Sequence, residues 1–130
     1  MTELRFDVLV LVLAICLVMT MAIETSAFLF KFWVYRSPWH RLTNIAVSAA
    51  LITLVSIGVA DEAVPLRFAA GAAFGLLYEV ANAFLIRVWS FPNDRFLIFR
   101  GPLPISLAAG LPWGILPVVA TIAASRLRGG

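Results

Sequence analysis

Two glutamates that lie inside long apolar stretches are the residues best suited to chemistry. Glu24 interrupts the first stretch and Glu79 the third. A charged side chain near the centre of a bilayer costs at least about 2.5–3.5 kcal/mol, so such an acid usually faces the protein interior and finds a partner, or is protonated. A carboxyl that exchanges a proton serves a proton-coupled carrier or the general acid of an enzyme. The alternative is structural, with Glu24 paired to Lys31 or an arginine.

Glu79 belongs to a helical face that combines small and polar residues. Steps of three and four residues place Gly71, Gly75, Tyr78 and Asn82 on the same face as Glu79. The Gly71–Gly75 pair forms a GxxxG pattern, which permits a neighbouring helix to approach closely. This face is therefore predicted to be buried against another helix.

The other apolar stretches bring polar groups to the same depth. Glu24 comes from the first stretch, Asn44 and Ser48 from the second, and Ser106 from the fourth. We therefore predict a shared polar site in one half of the molecule. The alternative is that the asparagine and serines only form hydrogen bonds to neighbouring helices.

The fourth stretch contains prolines and glycines in its interior. Pro112 and Pro117 each remove a backbone hydrogen bond and favour a kink, and Gly110 and Gly114 flank Trp113. Broken helices of this kind occur in transporters, although both residue types are also common in ordinary membrane helices. The candidate binding residues are Glu79, Glu24, Asn82, Tyr78, Asn44 and Trp113, and the candidate helix-packing residues are Gly71, Gly75, Gly110 and Gly114.

Several classes of site and partner are not expected. The chain has one histidine, His40, and one cysteine, Cys16, and these are too far apart in sequence to build a zinc or iron site. It has no glycine-rich phosphate loop followed by Lys and Ser or Thr. The net charge of +3 is small and dispersed. We therefore predict no metal, no cofactor and no nucleic-acid partner.

The composition indicates the elements that must position these residues. Hydrophobic residues make up 62% of the 130 residues and charged residues only 13%, against about 25% charged in soluble proteins. A helix needs roughly 20 residues to cross the hydrocarbon core. We predict an all-α integral membrane protein, a single domain over residues 1–130 built as a bundle of about four transmembrane helices. The predicted spans are residues 6–33, 42–60, 67–89 and 103–125.

The distribution of basic residues favours one orientation. The two connections after the first and third spans carry six basic residues against four on the other side, which predicts that both termini lie outside the cytoplasm. We expect a multi-pass protein of a bacterial inner membrane. The six are Lys31, Arg36, Arg41, Arg87, Arg95 and Arg100, and the four are Arg5, Arg67, Arg126 and Arg128.

The plan of four short spans with an acid in the first, here Glu24, is similar to that of the small multidrug transporters. Glu24 lies later in its span than in that family, and this chain is longer. Glu79 and the proline-rich fourth span have no counterpart there. The resemblance therefore covers the plan alone and assigns no residue a role.

Three functions remain open. The first is a carrier of a small lipophilic or cationic solute, with or without coupling to protons, in which Glu79 and Glu24 are the binding groups. The second is an accessory or assembly subunit of a larger membrane complex, with its glycine faces as docking surfaces. The expected assembly is such a complex or a homo-oligomer of this chain. The third is a membrane enzyme acting on a lipid or isoprenoid, with a glutamate as general acid. All three have the lipid bilayer as a partner.

Overall fold

Four long helices dominate the computed structural model, which describes residues 6–129. The structure is 79% helical, so the predicted all-α fold with four principal helices is confirmed. All four are long and apolar enough to cross a membrane. Arg5, which entered the charge comparison, and both ends of the predicted domain lie outside the described residues. The helices are α1 Phe6–Phe30, α2 Pro38–Gly58, α3 Val64–Ala81 with a π-helical turn at Asn82–Ile86, and α4 Pro102–Gly110 joined by a 3-10 turn at Leu111–Gly114 to α5 Ile115–Leu127.

Three of the helices end earlier than predicted, and the second does so by two residues, at Gly58 rather than residue 60. The first ends at Phe30 rather than residue 33, because Lys31 takes a left-handed conformation with φ of 56°. The third ends at Ile86 rather than residue 89, because Arg87 takes the same conformation with φ of 54°. The residues that follow the ends of the first and third helices are mostly apolar or aromatic. The hydrophobicity pattern therefore included them in the predicted spans, although they are not helical.

Two prolines that the predicted spans leave in the connections instead lie where helices begin. Helix α2 starts at Pro38 rather than residue 42, and the Ser37 hydroxyl caps it by accepting a hydrogen bond from the backbone N–H of His40 at 3.3 Å. Helix α3 starts at Val64 rather than residue 67, with Pro65 in its first turn. Proline is favoured in the first turn because its missing N–H would have no partner there.

The third and fourth spans pack closely through glycines. A Cβ added at Gly71 would lie 2.7 Å from the Trp113 carbonyl oxygen, and one added at Gly114 would lie 2.6 Å from the Phe68 carbonyl oxygen. Gly75 and Gly110 face each other in the same interface, each against the other's carbonyl oxygen. All four predicted packing glycines therefore lie between α3 and the fourth span.

Two short antiparallel ribbons, which were not predicted, lie in the connections. Strand β1, Val34–Tyr35, pairs with β2, Trp89–Ser90, in the register Val34 with Ser90 and Tyr35 with Trp89. Strand β3, Arg95–Phe96, pairs with β4, Phe99–Arg100. The β1–β2 ribbon joins the end of the first span to the end of the third. It thereby brings the two glutamate-bearing helices together at one end of the bundle.

Candidate functional site

Glu24 is buried and each of its carboxylate oxygens accepts two hydrogen bonds. Oε1 accepts from Trp33 Nε1 at 3.1 Å and from Arg41 Nη1 at 3.2 Å. Oε2 accepts from the Tyr35 hydroxyl at 2.7 Å and from Asn44 Nδ2 at 3.3 Å. These four donors come from the connection after α1 and from the start of α2. The carboxylate is therefore held by a complete set of donors.

Arg41 is the cationic partner of Glu24. It also donates to the Glu24 carbonyl oxygen at 2.9 Å, and its guanidinium lies 4.7 Å from the centre of the Tyr35 ring and 5.3 Å from that of Phe28. It reaches this position because α2 begins at Pro38, which puts residue 41 in the first turn. The structural alternative for Glu24 thus has a definite partner, an arginine and not the exposed Lys31.

The network extends from Glu24 to the third span. The Tyr35 oxygen accepts a hydrogen bond from Asn44 Nδ2 at 2.7 Å, and Asn44 Oδ1 accepts one from the Tyr78 hydroxyl. Burial, together with the neighbouring charge of Glu24, raises the pKa of Tyr35, so its hydroxyl keeps the proton that it donates. Asn44 therefore links the carboxylate on α1 to the helix that bears Glu79.

Glu79 is buried with a much smaller set of partners. Its Oε1 accepts one long hydrogen bond, from Trp89 Nε1 at 3.4 Å, and it forms no ion pair with any residue of the described range. The two glutamates thus differ sharply in how their carboxyl groups are satisfied.

Asn82 positions the tryptophan that contacts Glu79. Its Nδ2 donates to the Trp89 carbonyl oxygen at 2.9 Å, and its Oδ1 accepts from the N–H groups of Val88 at 2.8 Å and Trp89 at 3.2 Å. The side-chain amide of Asn82 therefore hydrogen-bonds the backbone of Val88, just before β2, and of Trp89, within β2, as a neighbouring backbone segment would.

A cavity of about 290 Å³, which we call the acidic cavity, lies between the two glutamates. Aromatic rings form much of its lining and contact one another, with ring centres 5.4 Å apart for Tyr78 and Trp89 and 6.0 Å for Tyr78 and Trp113. Its polar and aromatic lining residues are Glu24, Glu79, Ser26, Asn44, Tyr35, Tyr78, Trp33, Trp89, Trp113, Phe32 and Phe96.

The acidic cavity has the chemistry of a site for an organic cation. It presents two carboxyl groups, of which one has a guanidinium partner, and the faces of aromatic rings attract cations. Within the described residues there is no group of three or more histidine, cysteine, aspartate or glutamate side chains that could hold a metal ion.

Five of the six predicted binding residues line one cavity, namely Glu24, Glu79, Asn44, Tyr78 and Trp113. Asn82 lies outside the lining and hydrogen-bonds the backbone of Trp89, which does line the cavity. The Ser48 and Ser106 hydroxyls each donate to a carbonyl of their own helix, at 2.6 and 2.7 Å, and neither lines this cavity.

Sequence reasoning missed four residues of the candidate site that hydrogen-bond a glutamate, which are Trp33, Tyr35, Arg41 and Trp89. Aromatic residues beside an apolar stretch indicate anchors at the membrane interface rather than hydrogen-bond donors to an acid, and Arg41 entered only the charge comparison. The available signal was their position, because each follows an acid-bearing stretch closely and carries an N–H or O–H donor. Trp39 has the same kind of position but is 76% exposed and donates no hydrogen bond to either glutamate.

In comparison with known proteins, no family model matches the chain, and neither the curated proteins nor the solved structures give a significant match.

Proposed function

We propose that this chain is an integral membrane protein that binds a small lipophilic cation in the acidic cavity and carries it across the bilayer. Support for the membrane location comes from the four long apolar helices and from the many large apolar side chains on their outer faces, such as Val18, Leu54 and Leu77. Lipid is the solvent that tolerates such a surface.

The observation that carries the proposal is an aromatic cavity lined by two carboxyl groups, of which Glu24 has a guanidinium partner, Arg41, and Glu79 has none in the described chain. With both carboxyl groups ionised, the three groups have a net charge of −1, which a monovalent organic cation balances. A cation in contact with aromatic faces is attracted by about 2 kcal/mol or more when water is excluded. The volume of about 290 Å³ suits a ligand at the small end of the range for binding pockets.

The two glutamates are suited to different roles. Glu24 is held by Arg41 and three neutral donors, so its charge is balanced before a ligand arrives. Glu79 has one long hydrogen bond and no cationic partner in the described chain. Either a proton or an organic cation neutralises it. Competition between the two at Glu79 is the step that would couple solute movement to protons.

The glycines give less support to the accessory-subunit alternative than the sequence suggested. That alternative used the glycine faces as docking surfaces, whereas all four glycines pack α3 against the fourth span. The enzyme alternative would use Glu79 as the general acid in the same cavity, and it stays a hypothesis.

Binding of benzyltrimethylammonium tests the proposal directly. Three tryptophans line the cavity, so we expect the cation to change the intrinsic fluorescence of the detergent-purified protein. Glu79→Gln keeps the shape of the side chain and removes its charge, and we expect it to weaken binding at least about tenfold, as for a lost charged contact. Glu62→Gln, which removes an exposed acid outside the cavity, is the matched control and should bind as the wild type does.

A neutral ligand of the same shape separates charge from hydrophobic fit. Neopentylbenzene replaces the ammonium nitrogen by carbon and should bind wild type and Glu79→Gln equally. Equal affinity of both proteins for benzyltrimethylammonium would refute the role of Glu79. Transport is then tested in proteoliposomes. An outward-directed proton gradient should drive accumulation of a labelled cation inside vesicles that contain the wild-type protein, but not inside vesicles that contain Glu79→Gln.

A further inference from the structure

A second cavity, of about 470 Å³, has the opposite charge character. We call it the basic cavity, and its charged lining residues are Arg36, Arg87 and Asp94. It shares Tyr35 and Trp89 with the acidic cavity, so the β1–β2 ribbon contributes to both. Nothing in the proposed carriage of a cation uses this second cavity.

The two arginines are neighbours because of the ribbon. Arg36 directly follows β1, and the antiparallel register, continued by one residue, places it opposite Val88 and therefore beside Arg87. The backbone of Arg87 is fixed in a left-handed conformation, and its N–H donates to the Asn82 carbonyl oxygen at 2.8 Å. The backbones of the two arginines are thus close together, and both side chains line the basic cavity.

Neither guanidinium has a partner within residues 6–129. Arg36 and Arg87 make no side-chain hydrogen bond or ion pair with any of these residues, in contrast to Arg41, and the Asp94 carboxylate pairs with neither of them. Two guanidinium groups and one carboxylate give the cavity a net charge of +1. A phosphodiester, with a single negative charge, balances it, whereas a doubly charged phosphate monoester does not.

We propose that the basic cavity binds the phosphodiester of a glycerophospholipid headgroup, with Arg36 and Arg87 as the donors. Arginine is suited to phosphate because its planar fork donates two parallel hydrogen bonds to the oxygens. Val34, Phe91 and Ile105 supply an apolar part of the lining, against which the glycerol and the first acyl carbons can pack. The cavity lies where the first and third spans end, which is the level of lipid headgroups if these helices cross the bilayer.

Lipid titration followed by native mass spectrometry tests this site. The full chain is purified in detergent and titrated with phosphatidylglycerol, and the lipid-bound fraction is measured. We expect the double variant Arg36→Gln/Arg87→Gln to raise the half-saturating lipid concentration at least about tenfold. The Asp94→Asn variant should lower it, because removing the carboxylate leaves the phosphate with two cations and no repulsion.

The chain offers a matched control. Arg95 and Arg100 are also cross-strand neighbours, on β3 and β4, and neither lines the basic cavity. Arg95→Gln/Arg100→Gln removes the same charge and should change the half-saturating concentration less than twofold. Equal losses in the two double variants would mean diffuse attraction and would overturn the proposal, as would no loss in either. If the first double variant does not fold, the single Arg36→Gln and Arg87→Gln variants provide the same comparison.

Soluble competitors identify the source of the phosphodiester. Displacement of the lipid by glycerophosphoglycerol at similar concentration would assign the affinity to the headgroup alone, and failure of that displacement would show that the acyl chains contribute. Inorganic phosphate should compete poorly in both cases, and effective competition by it would overturn the choice of a diester. The outcome is independent of cation binding, because Arg36 and Arg87 do not line the acidic cavity.

Discussion

Gly71→Ala tests whether close packing of the third span on the fourth maintains the acidic cavity. The added Cβ would lie 2.6 Å from Pro117 Cδ and 2.7 Å from the Trp113 carbonyl oxygen, rather than at the 3.4 Å of an ordinary contact. The helices would therefore have to separate by about 0.7–0.8 Å, and one of the obstructing atoms belongs to the backbone. Overpacking of this kind costs about 1–3 kcal/mol.

A second effect of the substitution acts in the opposite direction. Alanine is more favourable than glycine in a helix interior by about 0.5–1 kcal/mol. We therefore expect Gly71→Ala to lower the free energy of unfolding by about 1–2 kcal/mol, and to weaken cation binding because Trp113 lines the cavity. Unfolding in mixed micelles with increasing dodecyl sulfate, followed by circular dichroism, measures the change.

Gly58 provides the control for this experiment. It is also helical, at the end of α2, and a Cβ added there would meet nothing within 4 Å. Gly58→Ala should leave the stability unchanged or raise it by up to about 1 kcal/mol. If Gly71→Ala is as stable as Gly58→Ala, the close approach of the two spans is not required and the packing argument fails.

Two further substitutions address the polar network. Arg41→Gln leaves the buried Glu24 charge without its cation and should destabilise the protein by about 3–5 kcal/mol, whereas Arg41→Gln combined with Glu24→Gln should recover much of that loss in the same unfolding assay; absence of recovery would argue against the ion pair. Asn82→Ala removes three hydrogen bonds to Val88 and Trp89, and should shift tryptophan emission to the red and weaken cation binding several-fold, at a cost in stability of about 1–3 kcal/mol. Unchanged emission and affinity would show that the ribbon holds Trp89 without Asn82.

The existence of four helices could be predicted from the sequence, but several of their ends could not. Long apolar runs predict membrane-spanning helices because, in lipid, backbone N–H and C=O groups must form their hydrogen bonds within the helix. The helix ends depend on the backbone conformation of single residues, such as the left-handed Lys31 and Arg87. The pattern of hydrophobic residues does not reveal these conformations. Pro38 and Pro65 show a related ambiguity, because proline marks a helix start as well as an interruption.

The depth of the candidate site along the helices could be predicted from the sequence, but the hydrogen-bond donors that surround its glutamates could not. Glu24, Asn44 and Glu79 share a depth because each lies at a known position along a helix of regular rise. Which donors surround Glu24 depends on the rotation of α2 and on the path of the connection that carries Tyr35. That path is set by pairing with Trp89 across 54 residues of sequence, and two-residue strands carry no periodic signal of their own.

The β1–β2 ribbon also determines where the chain can change in length. One inserted residue in segment 31–37 or segment 87–91 would shift the pairing and turn Tyr35 or Trp89 to the opposite face. The turn at residues 59–63, between α2 and α3, contributes to neither cavity as described, so epitopes and fluorophores are best inserted there. A homologue too diverged to be found by sequence similarity should still have its counterpart of Tyr35 eleven positions after that of Glu24, and its counterpart of Trp89 ten positions after that of Glu79. These two spacings form a search pattern that tolerates insertion everywhere else.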